Sequence, residues 1–202
     1  MSKKALVTDA DNVLFRWFAN IAKYNKENNL PYKHIEDVTS GNPFVGVEQL
    51  FPTESFEESY SHLAKYNISK HGATLPVFEK GSEKILKDIS EEFKIIVVTN
   101  FGECEISHNN RTMNLHNVYG DIFTEIHCLG TETCKRDVLA DIRSRYDVAM
   151  WVDDHLKNVK KGLEAGIPES YQYTHQMVCG RNTGEVSEVN SWATIKDKLF
   201  NL

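Results

Sequence analysis

Asp9 and Asp11 stand one residue apart in the stretch VTDADNVLF, residues 7 to 15, directly after the apolar run Ala5-Leu6-Val7. In an extended strand alternate side chains share a direction. Both carboxylates can therefore reach one spot at the strand's carboxyl end. Two acids there repel each other unless something positive sits between them, and Mg2+, which takes hard oxygen ligands, meets that need. A second acidic pair, Asp153-Asp154, ends the apolar run from Val148 to Val152. Thr99 ends another apolar run, and Lys135 opens the helical stretch before the second acidic pair. This set suits phosphoryl transfer, which needs a nucleophile, charge neutralisation by metal and cation, and donors for the phosphoryl oxygens. Each is weak on its own. Their occurrence in order, at the ends of successive apolar runs, carries the reading.

The elements that must position these groups alternate. A strand is expected over residues 4 to 8. Phe18, Ile21 and Ala22 recur at helical spacing, and Asn28 to Pro31 close that helix. Residues 31 to 55 are rich in Pro, Gly, Ser and Thr, and Phe56, Tyr60 and Leu63 predict a helix ending near Asn67. No strong strand is expected between 16 and 74. Ser82 reads as the N-cap of a helix whose apolar face is Ile85, Leu86 and Ile89. The run IIVVT, ending at Thr99, is β-branched throughout and implies cover on both faces, as in a parallel sheet. A polar helix follows over about 103 to 117, then a strand from Asp121 to Leu129, a helix from Lys135 to Arg145 and a strand from Val148 to Val152. Leu156, Val159 and Leu163 mark a helix stopped by Gly166 and Pro168. A strand is expected over Tyr171 to Thr174, a loop over 175 to 189, and a closing helix through Trp192, Ile195 and Leu199. This alternation predicts an α/β parallel sheet, which binds ligands beyond the carboxyl ends of its strands.

The chain has 202 residues, 41% hydrophobic and 26% charged, with net charge −6. An acidic chain argues against binding a nucleic acid duplex, which favours a basic patch. No run approaches the roughly 20 apolar residues of a membrane span, and the N-terminus lacks the apolar stretch of a signal peptide. Cys104, Cys128, Cys134 and Cys179 form no metal-binding spacing and read as reduced thiols. A cytoplasmic protein is expected.

These motifs resemble those of the haloacid dehalogenase (HAD) superfamily of phosphatases. The first is Asp9-Ala10-Asp11-Asn12-Val13, the second IIVVT, the third Lys135 and the fourth MWVDD. The resemblance implies a HAD-like Rossmannoid core of residues 1–15 and 75–202, with a small helical cap inserted as residues 16–74. It implies that Asp9 is the nucleophile and Asp11 the general acid and base. Thr99 and the Asn100 backbone amide would hold phosphoryl oxygens, and Lys135 would neutralise charge on nucleophile and phosphate. Asp9, the Asp11 carbonyl oxygen and Asp154 would bind Mg2+, with Asp153 behind them, although adjacent acids cannot be ranked from sequence. Asn12 stands where the family most often has glycine. Asn158 stands where many members have a further acid, so Lys135 would be held by the Asn158 amide or by Asp153; the neighbouring Arg136 is an alternative cation.

The resemblance favours hydrolysis of a small phosphorylated metabolite, a nucleoside monophosphate or sugar phosphate, with a slight lean toward a 5′-nucleotidase. Phe15, Trp17, Phe18 and Tyr24 are candidates to stack a nucleobase, against the blander expectation that they are the cap's own core. The rivals are a non-catalytic phosphate-binding module, a sugar-phosphate mutase and a dehalogenase; retention of both first-motif acids and of the metal-site acids counts against the first and the last. His108, His116 and His127 match no metal-site spacing and are expected at surface or strand positions.

Overall fold

The computed structural model describes residues 3–32, 45–174 and 184–202. The run Ala5-Leu6-Val7-Thr8 forms β1, the short central strand of a parallel sheet. On one side lie β2 (Lys94–Asn100) and β3 (Phe123–Leu129); on the other lie β4 (Val148–Asp153), β5 (Ser170–Tyr173) and β6 (Ser187–Val189). The order is β3-β2-β1-β4-β5-β6. The connection reverses direction between β1 and β4, and such a switch opens a crevice at the carboxyl edge.

Alternation along the strands builds two cores. Leu6, Ile95, Val97, Met150 and Val152 face one layer, which includes α5 (Ser82–Glu92), α6 (Glu105–Tyr119) and α9 (Trp192–Phe200). Ala5, Val7, Ile96, Val98 and Trp151 face the other, against Leu139 and Ile142 of α7 (Lys135–Arg145). Cover on both faces is why these strands are apolar throughout. On the second layer α8 (Leu156–Glu164) approaches the sheet closely at Gly162. A Cβ built there would lie 2.3 Å from Trp151 Cδ1 and 2.6 Å from Ser170 Oγ. Gly162→Ala is predicted to cost about 1–3 kcal/mol through overpacking, read as a lower denaturation midpoint. An unchanged midpoint would mean that α8 does not pack as described.

Between β1 and α5 the described chain holds helices alone. A 3-10 turn, Trp17–Asn20, leads into α1 (Ile21–Glu27), followed later by α2 (Val47–Leu50), α3 (Phe56–Ile68) and α4 (Lys70–Ala73). Trp17, Tyr24, Phe51 and Tyr66 meet edge-on or tilted, with ring centroids 5.4–6.5 Å apart. This segment meets the body through polar bonds: Asn67 Nδ2 donates to the carbonyl of Phe101, just after β2, at 3.0 Å, and Asn110 Nδ2 of α6 donates to the Asn67 carbonyl at 3.3 Å.

Three sequence expectations need correction. Ser82 is not the N-cap: Gly81 caps α5 with φ 90°, a left-handed conformation that suits glycine, while the Ser82 hydroxyl turns inward to Tyr119 at 3.3 Å. The loop expected over 175 to 189 contains β6, which pairs with β5 through Tyr171 to Tyr173; its residues 175–183 lie outside the described part. The third strand starts at Phe123 rather than Asp121, whose carboxylate pairs with His116 at 3.1 Å. Part of the Pro- and Gly-rich stretch over 31 to 55, residues 33–44, also lies outside the described part. Among the described residues no helix is long and apolar enough to cross a membrane.

Candidate functional site

β1 delivers the first acids. Its register places Thr8 beside Val97 of β2 and Val152 of β4. Asp9, Asn100 and Asp153 therefore leave the sheet at one edge. The Asp9 amide donates to the Val152 carbonyl at 2.8 Å, which extends the β1–β4 ladder into the site. The chain then folds back at once. The amides of Leu14 and Phe15 both donate to the Ala10 carbonyl at 2.9 Å, and Asn12 takes a left-handed conformation with φ 58°. Asparagine tolerates that conformation better than most residues, which explains why it can stand at a position suited to glycine.

α7 delivers the cation. Lys135 is its first residue and is 1% exposed. Its Nζ lies 3.0 Å from Asp9 Oδ1 and 2.8 Å from Asp153 Oδ2, with the Trp151 ring 5.3 Å away. Burial alone would lower the Lys135 pKa; the carboxylates of Asp153 and Asp9 outweigh it and hold the lysine charged, above its usual value. Arg136 faces solvent and pairs with Asp137 at 2.8 Å. Of the two cations weighed from sequence, Lys135 is therefore the one beside the acids.

The adjacent acids of the second pair have different surroundings. Asp153 is fully buried and engaged on both oxygens. Oδ2 meets Lys135, while Oδ1 accepts from the His155 amide at 2.8 Å and from Asn158 Nδ2 at 3.2 Å. Asn158 thus bonds Asp153, not the lysine, which corrects one of the two sequence expectations for how Lys135 is held; the other, Asp153, is the partner found. Asp154 faces the crevice and accepts from Asn12 Nδ2 at 3.2 Å. Oxygens of Asp9, Asp153 and Asp154 all lie within 4.8 Å of one another. Burial, and then the charges of Asp153 and Asp9, push the Asp154 pKa well above its usual value. Burial likewise raises Asp153 to about 6 against the pull of Lys135. Three hard carboxylate donors offset by one lysine suit a divalent cation.

This excess of negative charge has a measurable consequence. The native state retains an Asp154 proton that the unfolded chain releases above the ordinary value of 3.8. Without metal, the group therefore costs stability as pH rises beyond that value, and the cost disappears below it. Asp154→Asn is predicted to raise the melting temperature of the metal-free protein at neutral pH. The gain shrinks on acidification. Any melting-temperature rise that a divalent cation gives the parent should be absent in this variant. A variant less stable at neutral pH, or still stabilised by Mg2+, would contradict this reading.

Thr99 is the penultimate residue of β2. Its hydroxyl is fully buried and has no hydrogen-bond partner among the described residues. Asn100 Nδ2 donates to the carbonyls of Gly130 at 2.6 Å and Thr133 at 2.9 Å. That ties the end of β2 to the loop preceding Lys135. A cavity of about 420 Å³ opens over these groups; it is lined by Asp9, Asp154 and Lys135 below and by Trp17 and Phe18 from the helical segment. Phe15 and Tyr24, the other aromatic candidates, are buried at 0% and 3% exposure, in the core rather than the cavity. The histidines stay apart: His108 meets the Gly102 carbonyl, His116 meets Asp121 and His127 meets Glu125.

Sequence reasoning missed Arg111. This α6 residue is fully buried, and its guanidinium pairs with the Asp11 carboxylate. Burial still lifts Asp11 to about 6, with Arg111 pulling the other way. The available signal was the polar run NNRTMN in a helix that must cover a sheet.

Solved structures of other proteins share this architecture. A Clostridium difficile protein assigned as a phosphatase is 16% identical over 98% of this chain and 99% of its own, with a TM-score of 0.70. A Bacillus subtilis protein assigned to the HAD hydrolases, described as bound to magnesium, is 15% identical over 98% and 99% of the two chains, with a TM-score of 0.64. The chain has the HAD fold. Its HAD-like sheet edge carries all four sequence motifs: Asp9 and Asp11 after β1, Thr99 in β2, Lys135 opening α7, and Asp153 and Asp154 at and after the end of β4. No protein-family model matches the sequence. A curated relative, an uncharacterized 32.4 kDa protein of Enterobacteria phage T4, is 22% identical over 98% of this chain and 70% of its own length.

Proposed function

We propose that the chain is a Mg2+-dependent phosphomonoester hydrolase that works through an aspartyl-phosphate on Asp9. The observation that carries this reading is the meeting of Asp9, Asp153, Asp154 and Lys135 at one sheet edge. Asp9, Asp154 and the Asp11 carbonyl oxygen would hold Mg2+, with Asp153 behind them fixing Lys135. The bound ion supplies charge neutralisation for the phosphoryl oxygens.

The chain's own groups perform the rest. Asp9 attacks phosphorus, and its new O–P bond forms as the P–O bond to the leaving group breaks. Protonated Asp11 gives its proton to the departing alkoxide. Water then attacks the phosphoryl group, loses its proton to Asp11, and displaces the Asp9 carboxylate. The products are an alcohol and inorganic phosphate, and both acids return to their starting states. Lys135 balances negative charge on Asp9 and the phosphate. The buried hydroxyl of Thr99 and the Asn100 amide donate to phosphoryl oxygens.

Residues 16–74 act as the cap, which limits substrates to those that fit beneath it. The cavity falls within the roughly 300–1,000 Å³ typical of small-ligand sites. Trp17 and Phe18, on its wall, suit a flat ring, so a nucleoside monophosphate is the favoured substrate. The test is phosphate release from an aryl phosphate, nucleoside monophosphates and sugar phosphates, with Mg2+ and with EDTA. Release that needs Mg2+ and is fastest with nucleotides is expected. Equal release in EDTA would remove the metal from the account, and preference for sugar phosphates would remove the nucleotide.

A further inference from the structure

Arg111 of α6 is a completely buried charge. Its Nη2 pairs with Asp11 Oδ1, while Nε and Nη1 have no hydrogen-bond partner among the described residues. A buried guanidinium with unmet donors is costly, and an apolar side chain of similar volume would often be as stable or more so. Fold stability alone is a poor reason for it.

Its placement supplies a better one. The guanidinium lies over the Phe101 ring at 3.8 Å and near the Phe15 ring at 5.3 Å. Phe101 follows β2 directly, and its carbonyl is held by Asn67. Phe15 bridges Asp11 through the backbone of the turn after β1. The planar group is thus bordered by the Phe101 and Phe15 rings and donates to one carboxylate. Asp11 itself lies beyond the end of β1 and retains 18% side-chain exposure.

We infer that Arg111 is a positioning residue that fixes the Asp11 carboxyl for its two proton transfers, an inference that rests on the phosphatase reading above. In the first transfer the Asp11 O–H bond breaks as the leaving oxygen gains the proton; in the second, water's proton returns to Asp11. Lysine cannot replace this arginine well, because an ammonium on a flexible stem neither stacks as a plane nor fixes an orientation.

The test separates positioning from folding by leaving group. A phenolate leaves without a proton, whereas an alkoxide needs one. Arg111→Lys should lower kcat/KM for a simple alkyl phosphate at least about ten-fold more than for p-nitrophenyl phosphate, part of the 10²–10⁴ that general acid catalysis contributes. In an Asp11→Asn background the same substitution should leave the alkyl-to-aryl ratio unchanged, since residues acting as a unit are non-additive. Arg111→Gln is the second variant should Arg111→Lys fail to fold. Equal losses for both esters, or no loss, would show a merely structural arginine and overturn the inference. A parent protein that releases phosphate from no ester of the wider panel, nucleotides and sugar phosphates included, with Mg2+ would overturn the phosphatase reading and this inference with it. Hydrolysis by the parent with an unshifted ratio in the variants overturns this inference alone.

Discussion

Asp9→Asn is expected to abolish phosphate release while leaving the fold intact. The substitution changes one oxygen to nitrogen at a side chain 8% exposed. The backbone contribution of residue 9, its amide bond to the Val152 carbonyl, is untouched. Lys135 retains Asp153 as a partner at 2.8 Å, so no buried charge is stranded. Nucleophilicity is lost entirely, because an amide does not attack phosphorus as a carboxylate does. Turnover should fall by a factor on the order of 10⁴ or more, as when other covalent nucleophiles are removed. Circular dichroism and the melting temperature should stay close to those of the parent. Turnover above a tenth of the parent's would exclude Asp9 as the nucleophile.

Lys135→Met is predicted to damage both activity and stability. Methionine fills the volume but leaves Asp9 and Asp153 facing each other without a cation. Breaking a buried ion pair by removing one partner typically costs about 3–5 kcal/mol. Without the lysine, which pulls its pKa down, the Asp153 carboxyl should hold a proton to a higher pH. The native state then binds more protons than the unfolded chain, so the deficit narrows as pH falls. Denaturant midpoints at pH 5 and pH 8 would show it: the gap to the parent should be smaller at pH 5. Phosphate release should fall by at least about 10², the scale seen when one electrostatic donor is lost. Arg136→Ala is the control, since solvent screens its exposed pair with Asp137 and little stability rests on it. If Arg136→Ala were the more damaging change, the assignment of the cation would be wrong.

Much of this site was legible because it lies at strand ends. A buried parallel strand needs an unbroken apolar run, so polar residues at its terminus stand out; Thr99 after IIVV and Asp153 after MWV did so. Lys135 was legible as a helix start, but its partners were not. Nothing in the sequence tells that Asn158, one helical turn into α8, turns to Asp153. Arg111 was illegible for a related reason. Helix α6 buries Ser107, Asn110, Arg111 and Asn114 as well as Leu115 and Tyr119, because it answers the Asn67 and Leu75 carbonyls and the Asp11 carboxylate. A hydrophobic period finds core faces, and this face is polar. The three-residue strand β6 carries too few residues for any period to show. Ser82 failed as a cap because its neighbour Gly81 takes the left-handed turn into α5 and the serine becomes buried.

The central claim, an acyl phosphate on Asp9, can be met directly. The protein would be mixed with a phosphomonoester and Mg2+, then quenched into hydroxylamine, which converts an acyl phosphate to a hydroxamate, and its peptides weighed by mass spectrometry. The account predicts a hydroxamate on Asp9 that needs both substrate and Mg2+ and does not form in Asp9→Asn. Phosphate release by the parent with no adduct on Asp9, or with the adduct on another side chain, would contradict it.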